Sequence, residues 1–384
     1  MVQMKPDMGI YYEMLDAIAA TPPSLSFLSG RWPDLETWKL KARAKASELL
    51  AWEPPNVQLN PSIGSRRYED GVVVEEISYD MPYGPRTHGF FLYQKEAGSK
   101  LPAVVALHDH GEFFYYGKEK LVSFPNEPRI LREYRDKYYG GSGWATELAK
   151  RGFAVLAVDS FLWGSRKIPI DSVNEELQKK FEGVDPHSEE YIRKYNEFWA
   201  SSECILVVDT ILNSGTNFPA IFAYEDRRSI DYLLTRPEID SNRIACGGLS
   251  MGGLRTIFLA GLDKRVQCAF CVGFMTTIRG VLRNNIRCPP GHGLLMYVPE
   301  LFRFLDLPDI IAIRAPAPLM VQYNQEDELF TPEGQDQANR KITEIYSKSG
   351  YPNNYVGKFY PGPHKFNVAM QEDAFKWLER CLLA

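Results

Sequence analysis

The rhythm of hydrophobic positions changes along the chain. Over the first ~65 residues apolar positions recur at helical spacing, in YYEMLDAIAA and again in LETWKLKARAKASELLAW, punctuated by the Pro-rich pieces TPPS and WEPPNVQLNPS. GVVVEEISYDMPYGPRTHGFFLYQ then predicts two strands around a Pro-Tyr-Gly turn. From residue 103 onward, short apolar runs alternate with amphipathic ones. AVVALH, FAVLAV, RIACGG, CAFCVGF, PLMVQYN and VGKFYPG predict strands; WATELAKRG, IFAYEDRRSIDYLLT, MGGLRTIFLAGL, PEGQDQANRKITEIYSKSG and NVAMQEDAFKWLERCLL predict helices. Strands apolar on both sides must be covered on both faces. The fold class expected is therefore α/β, a mostly parallel central sheet of about eight strands with helices on each face. The pattern divides the chain into an N-terminal helical extension, 1–68, and an α/β domain, 69–384. The polar stretch 164–220 exceeds a simple crossover and is the candidate cap or lid insertion.

Composition narrows the function classes. The 384 residues are 45% hydrophobic and 24% charged, a globular balance. The net charge of −5 argues against a nucleic-acid partner. No run of about 18 apolar residues exists, so no membrane span is expected. The start lacks a basic segment followed by an apolar one, which predicts a cytoplasmic protein. Among six cysteines only Cys268 and Cys271 form a C-x-x-C. They sit in an apolar strand, where positions i and i+3 face opposite ways, so the reading is core rather than metal. His108-Asp109-His110 lacks any supporting ligand motif and reads as turn support. Neither a metal nor an organic cofactor is expected.

The chemistry concentrates at Gly248-Leu249-Ser250-Met251-Gly252, a G-x-S-x-G. A predicted strand ends just before the serine and a predicted helix starts just after it, the setting of a nucleophile elbow. The residues two before and two after such a serine pass close together, and glycine removes the collision. The helix start behind Ser250 offers free N–H groups to an oxyanion.

A nucleophilic serine needs a base, and the base needs an orienting carboxylate. On an elbow of this kind the acid and the histidine follow the serine in that order. His292 and His364 remain. His364 lies in YPGPHKFN between the last strand and last helix, whereas His292 precedes the strand that should carry the acid. After PLMVQYN, three acids compete, Glu326, Asp327 and Glu328; spacing to Pro332 favours Asp327. The oxyanion donors expected are the backbone N–H groups of Met251 and of Glu112, with Phe113 in reserve. Phe113, Trp163 and Met275, at the carboxyl ends of predicted strands, are the substrate-pocket candidates. The run Glu225-Asp226-Arg227-Arg228 reads as an ion-pair patch under the elbow.

With these residues in view, the chain resembles the acetyl xylan esterase and dienelactone hydrolase-like group of α/β-hydrolases. The resemblance is carried by LHDHG with the following YGKEK, by VLAVDSFLWGSR and by EDRRSIDYLLTRPEIDSNRIACGGLSMGG. It continues in YVPELFRFLDLPDIIAIRAPAPLMVQYNQEDELFTPEG and FYPGPHKFN, covering roughly residues 70–384 in the family's order. The helical front end is also similar to that of bacterial members with an extended N-terminus. The segment RCPPGHGLLM departs from the family pattern.

The resemblance implies a serine esterase working through an acyl-enzyme, with Ser250 as nucleophile, His364 as base, Asp327 as acid and Met251 and Glu112 as oxyanion amides. The partner implied is a small-molecule ester with a short acyl group, an acetyl on a sugar being one candidate. A lactone, thioester, amide or C–C bond cleaved on the same triad is the alternative, as is a non-enzymatic binding protein on this scaffold. The helical front end is a candidate contact for a homo-oligomer.

Overall fold

The computed structural model describes residues 9–94, 100–202, 207–282 and 296–383. The strands are β1 (Ser62–Glu69), β2 (Val72–Tyr79), β3 (Thr87–Gln94), β4 (Leu101–Leu107), β5 (Ala154–Val158), β6 (Ile239–Leu249), β7 (Val266–Val272), β8 (Leu319–Asn324) and β9 (Tyr355–Tyr360). They form one nine-stranded sheet in the order β1-β2-β3-β5-β4-β6-β7-β8-β9. Pairing is parallel from β5 to β9 across the sheet and antiparallel among β1, β2, β3 and β5. This is the α/β architecture expected, with β1 as an addition. β1 reads SIGSRRYE and is mostly exposed, so an edge strand polar on both faces carried no periodic signal. It also places the first strand at Ser62, ahead of residue 69.

The central strands β4 and β5 are buried along their whole length, which matches their unbroken apolar sequence. One face is covered by the helices Leu35–Leu50, Phe218–Leu234, Met251–Leu262, Leu307–Ala312 and Pro332–Lys348; the other by Arg129–Tyr139, Trp144–Ala149 and Val368–Leu382. Cys271 belongs to the first core and Cys268 to the second, so the C-x-x-C thiols do face opposite ways. The helix Leu35–Leu50 lays a stripe of Trp38, Ala42, Ala46 and Leu50 into the same core as the sheet. Its start is set by Asp34, whose side chain accepts from the Thr37 amide at 2.7 Å.

Within 164–220 the chain forms the helices Glu175–Lys179, Glu189–Ser202 and Asp209–Asn213. Phe181, Tyr195 and Trp199 from this stretch pack with Phe114 after β4, with Trp163 after β5 and with Met251 after β6. This stretch therefore sits over the carboxyl ends of the central strands. β4 lies between β5 and β6, so the chain leaves β4 toward one side and returns on the other. The loops after β4 and β6 diverge there, and open α/β sheets place their ligand crevice at that point. No described helix is long and apolar enough to cross a membrane.

Candidate active site

β6 delivers Ser250 to this crevice. Ser250 has φ 59° and ψ −122°, and is the residue before the helix Met251–Leu262. A positive φ at a side-chain-bearing residue stores on the order of 1–3 kcal/mol and persists only when its surroundings fix it. Here the Ser250 amide donates to the Val272 carbonyl at 2.9 Å, and the Leu254 amide donates to the Ser250 carbonyl at 3.0 Å. The flanking glycines serve a partner that the sequence did not reveal. A Cβ on Gly248 would stand 2.0 Å from the carbonyl oxygen of Leu107, and one on Gly252 2.2 Å from the same atom. Their mutual approach is secondary: the Gly248 Cβ would lie 3.1 Å from the Gly252 Cα. The elbow is folded around the last carbonyl of β4.

Beneath it, Arg255 donates to Asp226 at 2.6 and 3.1 Å and to the His108 carbonyl at 3.3 Å, tying the elbow helix to the end of β4. Burial pushes the Asp226 carboxyl up and Arg255 pulls it back. Glu225 pairs with Arg166 at 2.6 Å and Arg228 with Asp231 at 2.9 Å. The acidic-basic run thus forms ion pairs of the scaffold.

Tertiary structure separates the three acids after β8. Residues 325 and 326 prolong the pairing with the chain beyond β9: the Gln325 amide donates to the Tyr360 carbonyl at 2.9 Å, the Glu326 amide to the Gly362 carbonyl at 3.2 Å. The Glu326 carboxylate accepts from the Gly362 amide. Asp327 turns inward. Its Oδ1 accepts from the Leu329 amide at 2.9 Å, and its Oδ2 lies 2.7 Å from Nδ1 of His364. The Asp327 side chain is fully buried and that of His364 is 16% exposed. Glu328 borders the cleft outside this pair. His292, the other histidine considered, lies outside the described residues.

His364 and Ser250 border one cleft of about 340 Å³, together with Glu112, Lys137, Tyr138 and Leu329. Nε2 of His364 is buried without a hydrogen-bond partner in the protein, so the imidazole is held at one nitrogen and free at the other. The amide of Met251 opens its helix and has no intrahelical acceptor. The amide of Glu112 is not free: it donates to Nδ1 of His110 at 2.9 Å, at a residue with φ 52°. The Phe113 amide donates to the His110 carbonyl at 3.2 Å.

This loop after β4 is braced from below. The buried Lys120 ammonium donates to the carbonyls of Asp109 and His110, both at 2.9 Å, and burial pulls its pKa down to about 8. The hydroxyls of Tyr134 and Tyr139 donate to the Asp109 carboxylate. His108 packs with Nε2 3.1 Å from the Ser160 hydroxyl, and burial holds it well below the usual histidine range. The His108 and His110 side chains bond within the loop and to Ser160 after β5.

The three residues expected to line a substrate pocket are buried in packing instead. Trp163 is fully buried, stacked on Phe114 with ring centroids 4.8 Å apart, and its Nε1 donates to the His110 carbonyl. Phe113 packs into a small core with Ile130, Leu131 and Ile192. Met275 is 1% exposed in the main core. None of them borders the described cleft at Ser250. Each is drawn into a different piece of buried packing, Trp163 under the 164–220 stretch, Phe113 against the helix Arg129–Tyr139 and Ile192, and Met275 in the main core, where more of its surface is removed from water.

Comparison with known proteins agrees with this architecture. A profile of the Abhydrolase family matches residues 207–376. The crystal structure of a "putative acetyl xylan esterase" from Bacteroides fragilis superposes with a TM-score of 0.67 at 18% identity, covering 91% of this chain and 82% of that one. A glucuronoyl esterase from Solibacter usitatus does so with a TM-score of 0.63 at 16% identity, covering 94% and 97%.

The chain has the α/β-hydrolase fold.

A curated relative, "Putative hydrolase YtaP" of Bacillus subtilis, is 23% identical over 310 residues, 81% of this chain and 88% of its own length. In this fold several residues of the site escaped sequence reasoning. Gly273, at φ +60°, would place a Cβ 3.0 Å from Cε1 of His364, so the imidazole lies over a residue that has to lack a side chain. A glycine at the end of a predicted strand was the available signal. Asn324, buried at the end of β8, donates from Nδ2 to the Lys365 carbonyl at 3.2 Å and anchors the histidine loop. Lys137 and Tyr138 come from the last turn of the helix Arg129–Tyr139, and nothing in their local sequence connects them to a serine more than a hundred residues away. Among the described residues, no group of three or more His, Cys, Asp or Glu side chains is arranged to hold a metal.

Proposed function

We propose that this protein is a serine hydrolase that cleaves carboxylic esters of short acyl groups through an acyl-enzyme, with an acetyl group on a sugar as the first substrate to try. Ser250 Oγ attacks the ester carbonyl and His364 Nε2 takes its proton. Asp327 holds the Nδ1–H tautomer and stabilises the imidazolium. The oxyanion forms at the start of the helix Met251–Leu262, on the Met251 amide. The Glu112 amide becomes the second donor by exchanging His110 Nδ1 for the oxyanion. His364 then protonates the leaving alcohol, and water repeats the sequence on the acyl-enzyme.

The observation that carries this reading is the state of His364: Nδ1 bound to a buried carboxylate at 2.7 Å, Nε2 unpartnered, on the cleft that Ser250 also borders. That is the arrangement a general base needs before substrate arrives, when the nucleophile–base hydrogen bond is commonly not yet formed. The strained elbow supports it, since a serine serving only as a helix cap has no need of φ 59°. The names of the structural neighbours, an acetyl xylan esterase and a glucuronoyl esterase, point to the same bond class.

Hydrolysis of p-nitrophenyl esters from acetate to octanoate, by wild type beside Ser250→Ala, tests the proposal. Turnover should be highest on acetate and vanish in the variant, and a fluorophosphonate probe should label only the wild type. An unchanged rate in Ser250→Ala would remove the mechanism. Failure of the probe to label would favour a binding protein on the hydrolase scaffold.

A further inference from the structure

At the amino end of β7, opposite the end where Gly273 meets His364, a cavity of about 220 Å³ opens between the helix Leu35–Leu50 and the sheet. Its charged lining is Lys39, Arg43, Lys264 and Arg314 against Glu36 and Asp263. Both acids are committed: Glu36 pairs with Lys39 at 2.7 Å and Asp263 with Arg265 at 2.6 Å. Among the described residues, Arg43, Lys264 and Arg314 are left without an ion-pair partner.

Arg314 is the anomaly. It is 5% exposed, and none of its three guanidinium nitrogens has an acceptor in the protein. Arg43 shares the feature in part: its Nε is buried without an acceptor, and burial pulls its pKa down despite the pull of Glu36 and Asp263 in the other direction. A buried guanidinium that is neither paired nor hydrogen-bonded is among the most unfavourable arrangements a fold can hold, because desolvation of the charge goes uncompensated. Guanidinium cannot escape by losing its proton at physiological pH. A fold that retains Arg314 in this state, on a cavity that Arg43 also lines, needs an anion there. Arginine forks match planar and tetrahedral oxoanions with paired hydrogen bonds.

We propose that this cavity is a binding site for a small tetrahedral oxoanion, phosphate in chemical class, held between Arg314 and Arg43. The cavity is larger than a bare phosphate, so the ligand is either free phosphate or the head of a small phosphomonoester. Because the site joins the N-terminal helix to the amino edge of the sheet, occupancy ties the front end of the chain to the hydrolase core. The proposal is independent of the esterase reading.

The test is thermal unfolding of the full chain in increasing sodium phosphate, and separately glycerol 3-phosphate, against sodium chloride at matched ionic strength. The expected result is a saturable rise in melting temperature on the order of 2–5 °C over chloride at saturating ligand. Ser250→Ala should respond like the wild type. Arg314→Met and Arg43→Met should lose the response. Without phosphate, Arg314→Met should be at least as stable as wild type, since a buried uncompensated charge is gone; a merely structural arginine would show the reverse. If Arg314→Met does not fold, the half-buried Arg43→Met carries the test. A larger rise with glycerol 3-phosphate than with phosphate identifies the phosphomonoester. No rise beyond chloride in the wild type, or an equal rise in Arg43→Met, overturns the proposal.

Discussion

The carbonyl oxygen of Leu107 stands 2.0 Å from where a Cβ on Gly248 would be, and the two residues are register partners at the ends of β4 and β6. The elbow and the loop after β4 are therefore one construction. The turn that lifts Ser250 can be this tight only because β4 pushes its last carbonyl into the gap between Gly248 and Gly252. The loop carrying the oxyanion candidate begins at the next residue.

Gly248→Ala and Gly252→Ala should each displace that carbonyl and spoil the serine geometry. The expected outcome is a fall in ester turnover of about 10²–10³-fold, the size of losing an oxyanion donor. Overpacking should also lower stability by about 1–3 kcal/mol. Steady-state kinetics beside denaturant melts will check both; retained turnover in either variant would mean that the site does not depend on this contact.

Asp327→Asn should keep the geometry while presenting the wrong donor to Nδ1 of His364. Turnover should drop about 10⁴-fold with little change in substrate affinity. Glu328→Gln, on the neighbouring residue outside the pair, should stay close to wild type. Glu326→Gln should fall between them, because its carboxylate holds the Gly362 amide in the histidine loop. Equal losses in Asp327→Asn and Glu328→Gln would mean the acid has been misassigned.

Asp306 supplies a pH prediction. Burial raises its pKa from 3.8 to about 6, with Asp309 adding to the rise and Lys341 opposing it. The folded state thus favours the protonated form. The stability this group contributes is fully present below about pH 4 and is lost as pH rises through about 6. Asn keeps the caps to the Leu307 and Ile278 amides without a titrating charge. Asp306→Asn should match wild type near pH 4 and exceed it by on the order of 2–3 kcal/mol near pH 7. Urea melts at the two pH values decide it; a constant gap would exclude the assignment.

Trp38 is fully buried, and its indole N–H donates to the Leu25 carbonyl at 2.7 Å. Because the helix Leu35–Leu50 packs into the same core as the sheet, Trp38→Ala should cost about 3–5 kcal/mol. An unchanged melting temperature would show that the front end is an appendage.

By itself the sequence determined the α/β class, eight of the strands and the strand–serine–helix junction. Each of these is set by local periodicity and turn chemistry, which a short window contains. His364 also emerged, because order along the chain left one histidine in the right loop. Tertiary structure alone decided the rest. β1 joined the sheet as a mostly exposed edge, through backbone pairing with β2 and through distant partners such as Glu75 for Arg66 and the Phe90 and Phe124 rings for Arg67. Asp327 parted from Glu326 and Glu328 through the pairing of residues 325–326 beyond β9, a contact across 36 residues. Phe113, Trp163 and Met275 went into the core, and Lys137 with Tyr138 came to the cleft from a helix on the other face. The reasons for Gly248, Gly252 and Gly273 lie in atoms of distant residues, the Leu107 carbonyl and the His364 ring. Contacts of that kind leave no periodic trace, because they depend on where strands end in space and on which surface each side chain finds to bury against.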